Sequence, residues 1–155
     1  MLYMLLIGYH FCSACMYVNT KNPFTKDFFH DLQGTDGLEK HVNRVFENAE
    51  YFTEKIRRRP GFKLVLDEPE CTNVTFWYVP PSLRGRENEP EYNQRLHRVA
   101  PLIKERMTRE GTMLMTYQPL KELPNFFRLV IQNSALNTAD MDYIVTEFER
   151  LGRNL

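Results

Sequence analysis

Thr72–Gly85 has the sequence TNVTFWYVPPSLRG, and this stretch predicts both a strand and the point where the strand stops. β-Branched and aromatic residues run from Val74 to Val79, which is typical of a strand that packs against a core. Pro80 and Pro81 follow, and neither can donate a backbone hydrogen bond to a ladder. The strand is therefore predicted to end before a short basic turn, SLRG.

An apolar stripe upstream of this strand predicts the first helix. Apolar residues recur at steps of four and three from Leu38 to Ile56, as they do on one face of an α-helix. Asp36 and Glu39 have the spacing of a capping box, so Asp36 is predicted to be the N-cap. Pro60-Gly61 marks the end of the helix.

Two more helices are predicted downstream. Residues 91–110 carry an amphipathic pattern interrupted by Pro101, which is expected to kink the helix or to split it in two. Gly111 then stands at the position that favours a left-handed backbone after a helix. A last helix is predicted to have Thr138 as its N-cap and to end at Gly152.

Short apolar runs predict three further strands, at residues 62–66, 112–117 and 126–131. From residue 36 onward the order is helix, strand, strand, helix, strand, strand, helix. This order indicates an α+β fold in which an antiparallel sheet is covered by helices on one face.

The composition of the 155-residue chain is ordinary for one globular domain, with 43% hydrophobic and 26% charged residues. Its 20 basic residues balance its 20 acidic residues, so no net charge attracts nucleic acid or an anionic membrane. Three cysteines are too few and too odd a set for a disulfide framework, which favours a reducing, cytoplasmic compartment.

The segment Met1–Val18 is mostly apolar, but it is short for a spanning helix and lacks the early positive charge of a signal peptide. We interpret it as a packing segment or as sequence outside the fold, with a targeting or membrane role as the alternative. Cys12 and Cys15 form a CxxC pair without the second pair of a zinc site or the strand–helix context of a redox site. No metal site is therefore predicted.

Arg128 is the single residue that most indicates a function. It lies within the apolar strand 126–131, where both faces otherwise carry hydrophobic side chains, so the strand is predicted to be buried on both sides. An unpaired charge there would cost several kcal/mol. Arg128 therefore requires an anion, and spacing alone favours a carboxylate of this chain over a ligand.

The stretch TNVTFWYVPPSLRG also closely resembles the C-terminal region of the pyridoxal-phosphate-dependent group II decarboxylases. This branch includes glutamate decarboxylase, cysteine sulfinic acid decarboxylase and insect aspartate decarboxylase. The resemblance covers about residues 34–155. Further matching segments follow in the same order, namely Gly37-Leu38-Glu39, Arg95-Leu96, Val99-Ala100-Pro101, Lys104-Glu105-Arg106-Met107, Gly111-Thr112, Tyr117-Gln118-Pro119, Asn125-Phe126-Phe127-Arg128 and Glu149-Arg150-Leu151-Gly152.

The resemblance implies the small C-terminal domain of a fold type I enzyme, a homodimer with pyridoxal 5'-phosphate as cofactor. It implies a carboxy-lyase that acts on a small acidic amino acid: glutamate, cysteine sulfinate or aspartate. In this family the arginine of the Asn-Phe-Phe-Arg segment binds the substrate carboxylate, and here that residue is Arg128. The resemblance thus makes a substrate the expected anion.

The chain also departs from the family. The Asn-Pro-His-Lys segment that carries the cofactor lysine is absent from it, so no catalytic and no cofactor-binding residue is expected here. Thr75 stands where a cysteine is common. We expect residues 1–33 to be foreign to the fold, residues 34–60 to form a helix leading into the small domain, and residues 61–155 to form that domain. A fragment of the enzyme is the first hypothesis, and a non-catalytic isoform or subunit-docking fragment is the alternative.

Overall fold

The computed structural model describes residues 35–120 and 122–155. These residues form three α-helices, four strands and one turn of 3₁₀-helix. In chain order they are α1 (Thr35–Arg58), β1 (Phe62–Leu64), β2 (Asn73–Tyr78), the 3₁₀-helix (Pro81–Leu83), α2 (Tyr92–Glu110), β3 (Thr116–Leu120), β4 (Leu123–Val130) and α3 (Thr138–Gly152). The predicted order of helices and strands is confirmed. The predictions for Met1–Val18 and for the Cys12–Cys15 pair lie outside the described residues.

The four strands form one antiparallel sheet in the order β1-β2-β4-β3. The strand predicted from the opening stretch, β2, lies beside β4 at the centre. Phe76 of β2 pairs with Phe127 of β4, and Thr75 pairs with Arg128. Because side chains alternate along a strand, this register divides the sheet residues cleanly between two faces.

One face of the sheet is covered by the helices, and Phe148 of α3 lies at the centre of the contact. Its ring centroid is 4.7 Å from that of Phe127 and 5.3 Å from that of Phe76, both in edge-to-face arrangements. Phe62 and Tyr78 contact the same ring. Apolar residues of α1 and α2 complete this core. The fold is therefore α+β with the helices on one side of an antiparallel sheet.

Helix α2 runs without interruption through Pro101, so the expected split is wrong. A proline in a helix leaves the carbonyl four residues earlier without its usual donor. Here that carbonyl belongs to His97, and it accepts a hydrogen bond of 2.9 Å from Nδ2 of Asn125. The backbone N–H of Asn125 in turn donates to Nδ1 of His97 at 3.3 Å. Strand β4 thus supplies the bond that the proline removes.

The helix ends differ from the predictions at two places and agree at a third. Helix α1 begins at Thr35, so Asp36 lies in its first turn and is not the N-cap. Asn137, and not the predicted Thr138, caps α3, and it forms a capping box with Asp140. Gly111 is confirmed in its left-handed conformation, with φ of 65°. 

Gly152 is the last residue of α3, and its role is close packing. A Cβ at this position would overlap the ring of Tyr78, which is only 2% exposed. The lack of a side chain therefore lets the end of α3 approach β2. No helix within residues 35–120 and 122–155 is long and apolar enough to cross a membrane.

Candidate functional site

The second face of the sheet carries the polar and charged strand residues. We call this second face the open face, because the helices of the described residues pack against the first face. Its members alternate with the core residues along all four strands, and they are Lys63, Asn73, Thr75, Thr116, Trp77, Gln118, Phe126, Arg128 and Val130. Thr75 and Phe126 are buried, while Arg128 and Val130 are half-buried. The prediction that strand β4 is buried on both sides is therefore wrong.

Arg128 lies at the centre of the open face. Thr75 of β2 and Thr116 of β3 are its direct cross-strand partners, one on each side. Such partners stand about 5 Å apart at Cβ, so two hydroxyl-bearing side chains flank the arginine. Its Nε donates a hydrogen bond of 3.1 Å to Oδ1 of Asn73. The arginine therefore rises from a polar row in an otherwise hydrophobic strand.

The carboxylate partner that spacing favoured for Arg128 is not found in the part of the chain the structure describes. No Asp or Glu among those residues forms an ion pair with it, and its two Nη atoms have no hydrogen-bond acceptor there. Arg59 shows the contrast, because its Nε and Nη2 bind both oxygens of Glu149 at 2.7 and 2.8 Å. The Nη edge of Arg128 is left for an anion from outside the described residues.

An aromatic wall stands beside Arg128 on the open face. The rings of Trp77 and Phe126 meet edge to face, with centroids 6.2 Å apart. Nε1 of Trp77 donates to the carbonyl of Pro124 at 3.1 Å, which fixes the indole. Nζ of Lys63 lies 6.0 Å from its ring centroid. The strand residues of this face therefore offer two cations, hydroxyls and aromatic surface but no carboxylate, which suits an anionic ligand.

Asn73 is a member of this face that its sequence context did not reveal. It pairs with Val130, so it lies diagonal to Arg128 across the β2–β4 ladder. Diagonal neighbours can be identified only when the register of the two strands is known. The register of β2 and β4 pairs Phe76 with Phe127 and not with a neighbouring residue. This register brings Asn73 close to Arg128.

The four lysines of the described residues differ in their contacts. A covalent site needs a lysine that is free to react and faces a pocket. Lys55 is bound to Asp142 and Tyr51, and Lys63 and Lys104 stand over the rings of Trp77 and Tyr117. The remaining described lysine, Lys40, is exposed on α1.

Metal binding and thiol chemistry are two other kinds of site that these residue types could form. No cluster of three or more His, Cys, Asp or Glu side chains that could hold a metal ion occurs between residues 35 and 155, Lys121 aside. Cys71 is exposed and free.

Known proteins resemble this chain in sequence. The model of the pyridoxal-dependent decarboxylase conserved domain matches residues 25–79, which begins upstream of the boundary at residue 34 drawn from the sequence motifs. Human cysteine sulfinic acid decarboxylase is 52% identical over 123 residues, which are 79% of this chain and 25% of that protein. Mouse acidic amino acid decarboxylase GADL1 is 47% identical over 122 residues, which are 79% of this chain and 22% of that protein.

A solved structure extends the likeness to the fold. The crystal structure of mouse CSAD superimposes with a TM-score of 0.77 at 50% sequence identity, covering 79% of this chain and 26% of that one. The fold is thus that of a portion of a pyridoxal-dependent decarboxylase. The chain is therefore similar to a portion of the group II pyridoxal-phosphate-dependent decarboxylases. It spans about a quarter of the length of the curated relatives it matches.

Proposed function

We propose that this chain is the small C-terminal domain, with the helix leading into it, of a carboxy-lyase that uses pyridoxal 5'-phosphate. In this proposal residues 34–60 are the leading helix and residues 61–155 are the domain. The substrate is a small acidic amino acid: cysteine sulfinate, glutamate or aspartate. Two relatives are named for cysteine sulfinic acid and for acidic amino acids, and these names support the substrate class. A homodimeric, cytoplasmic parent enzyme is part of the same proposal, supported by the family resemblance.

Arg128 is the residue that we propose to bind the substrate, through a carboxylate. The observation that carries this proposal is its unpaired Nη edge on a face without strand carboxylates. A guanidinium offers two parallel N–H donors at the spacing of the two oxygens of a carboxylate. A half-buried site strengthens that bond relative to water. The arginine would thereby hold the amino acid in one orientation relative to the reacting bond.

The wall formed by Trp77 and Phe126 would complete the site by excluding water from one side of the bound carboxylate. The cofactor and the residues that hold it are proposed to come from the part of the enzyme that this chain does not match, since no described lysine is suited to them. The catalytic residues are assigned to that part as well. Within this chain the role is therefore substrate binding.

The test uses a hybrid enzyme, defined as human cysteine sulfinic acid decarboxylase with its matched quarter replaced by residues 35–155 of this chain. Arg128→Lys in the hybrid is expected to lower kcat/KM for cysteine sulfinate by about 10²-fold. Lysine keeps the charge but loses the planar pair of donors. Steady-state kinetics with cysteine sulfinate, glutamate and aspartate would measure the loss and rank the substrates.

Arg109→Lys is the matched control, because Arg109 forms an exposed ion pair with Glu105 on the outer side of α2. It is expected to leave kcat/KM within about twofold, as surface pairs contribute little. Unchanged kcat/KM in Arg128→Lys, with an unchanged melting temperature, would remove Arg128 from the substrate site.

A non-catalytic role is the second candidate, and an exposed apolar stripe favours it. Leu38, Val42 and Phe46 of α1 are 53%, 38% and 46% exposed, and they continue the stripe whose later members are buried. Such a surface fits a chain that docks onto a full-length subunit. Borohydride treatment of the 155-residue chain with pyridoxal phosphate should then give no stoichiometric label at one lysine. A single, stoichiometrically labelled lysine would show that the chain holds the cofactor alone.

A further inference from the structure

The side chain of Asn73 decides which edge of the Arg128 guanidinium is available to a ligand. A guanidinium can bind a carboxylate side-on, through Nε and one Nη, or end-on, through both Nη atoms. In this structure Oδ1 of Asn73 accepts from Nε at 3.1 Å. The side-on edge is thereby occupied by the protein, and the end-on edge is left.

The backbone around Asn73 is fixed by a tight turn. Its N–H donates to the carbonyl of Glu70 at 3.1 Å, and the carbonyl of Thr72 accepts from Ile131 N–H at 3.0 Å. Cys71, inside the turn, has a left-handed backbone with φ of 53°. Asn73 is then the first residue of β2, at the register position diagonal to Arg128. The backbone hydrogen bonds of the turn thus fix the position from which the Asn73 amide accepts from Nε.

The chemical type of the side chain matters as much as its place. An amide oxygen accepts from Nε without adding a charge. An aspartate at the same position would accept the same bond and would also neutralise the guanidinium. Since no carboxylate of the described residues pairs with Arg128, a neutral acceptor is the choice that leaves the positive charge for a ligand.

We propose that Asn73 is a positioning residue for the substrate. It holds Arg128 by Nε, keeps the guanidinium charge uncompensated, and so directs an end-on, bidentate bond from Nη1 and Nη2 to the substrate carboxylate. This inference rests on the proposed function, because it assumes that Arg128 binds that carboxylate.

The kinetic test compares two substitutions in the hybrid enzyme. Asn73→Asp keeps the shape and the acceptor but adds a negative charge, and we expect it to raise KM for cysteine sulfinate about tenfold or more with kcat within about twofold. Asn73→Ala frees Nε and is expected to raise KM several-fold. Asn93→Asp adds the same charge on the exposed first turn of α2 and should leave KM unchanged.

These results separate the inference from the proposed function. A KM for Asn73→Asp equal to that of Asn93→Asp, while Arg128→Lys still loses about 10²-fold, would overturn the positioning role and leave Arg128 as the substrate ligand. Unchanged kinetics in Arg128→Lys would instead remove the proposed function. If Asn73 only stabilised the start of β2, the melting temperature would fall in Asn73→Ala, and Asn73→Asp would keep the original KM.

A second measurement needs no activity and uses the full 155-residue chain. Side-chain ¹H–¹⁵N NMR resolves the Nε–H of arginines, and Arg128→Lys identifies the signal of Arg128. That signal is expected to exchange slowly with water, and in Asn73→Ala to exchange at least about tenfold faster, because the acceptor is gone. Equal exchange rates in the two proteins would show that the Asn73–Arg128 bond does not hold the guanidinium.

Discussion

The two faces of the sheet use the same strands for different purposes. On the covered face, Phe76 and Phe127 pack under Phe148, and all three side chains are fully buried. On the open face, Asn73 and Arg128 are half-buried polar partners; Asn73 lies three residues before Phe76, and Arg128 directly follows Phe127. Because alternate residues point to opposite faces, the core residues and the residues of the proposed binding face occupy interleaved positions.

A charge can thus be placed in a hydrophobic strand without disturbing the core. Arg128 follows directly after Phe127, yet its side chain leaves the core face to Phe127 and Leu129. A substitution at one position should therefore alter one property and spare the other.

Phe148→Ala should cause the largest loss and would show that the covered face provides the stability. Truncating a fully buried phenylalanine costs about 3–5 kcal/mol in the free energy of unfolding. Phe126→Ala, on the open face, is the matched variant. Its ring contacts Trp77 alone among the described aromatic residues, so we expect a smaller loss. Urea unfolding of both variants would measure the difference, and equal losses would break the distinction between the faces.

Gly152→Ala tests how closely α3 approaches the covered face. The added methyl group would overlap the buried ring of Tyr78, and overpacking of this kind costs about 1–3 kcal/mol. The same change made in a Tyr78→Ala background should cost much less, because the obstructing ring is gone. An equal cost in both backgrounds, measured by thermal unfolding, would contradict the close approach.

The ion pair between Arg59 and Glu149 ties α1 to α3 behind the covered face and gives a pH dependence. Hydrogen bonding to Arg59 lowers the pKa of the Glu149 carboxyl below its usual value of 4.5. A carboxyl with a lowered pKa in the folded state stabilises the fold above its unfolded pKa, and this contribution disappears as pH falls through the folded pKa. The side chains are 49% and 29% exposed, so we expect at most about 1 kcal/mol.

Glu149→Gln is the variant that isolates this contribution. It should be less stable than the original chain at pH 7, and the two should converge as pH falls below about 4.5. Urea unfolding from pH 7 to pH 3 would follow the difference. A gap that stays constant over this range would mean that the ionised carboxyl does not contribute.

Cys71→Gly has the smallest expected effect, and it concerns the turn that supports Asn73 on the open face. With φ of 53°, a glycine is tolerated there, and Cys71→Gly should change stability by less than about 0.5 kcal/mol. Cys71→Val puts a β-branched residue in a left-handed conformation and should cost about 1–2 kcal/mol. Equal stabilities of the two variants would contradict the left-handed turn.

The order of the elements was predictable because it depends on local signals. Apolar steps of three and four placed α1, and the run before Pro80 placed β2. The helix caps were harder, because Asn137 and Thr138 are adjacent and both favour an N-cap. The side-chain hydrogen bond to Ala139 N–H decides for Asn137, and that bond depends on backbone geometry.

The features that required the structure all join residues far apart in the chain. Pro101 stays within a continuous helix because Asn125 donates to the carbonyl of His97. Asn73 meets Arg128 because of the register between β2 and β4. Spacing along the chain carries no information about either pairing. It did single out Arg128 as a charge in need of an anion, and it favoured an internal carboxylate that the described residues do not supply.

The most direct measurement is a crystal structure of the hybrid enzyme with a bound carboxylate-bearing substrate analogue. The account predicts both carboxylate oxygens within hydrogen-bond distance of Nη1 and Nη2 of Arg128, with Nε still bonded to Oδ1 of Asn73. An analogue whose carboxylates bind elsewhere, with Arg128 paired to an Asp or Glu of the enzyme, would contradict it. In that case the open face would have a structural role alone.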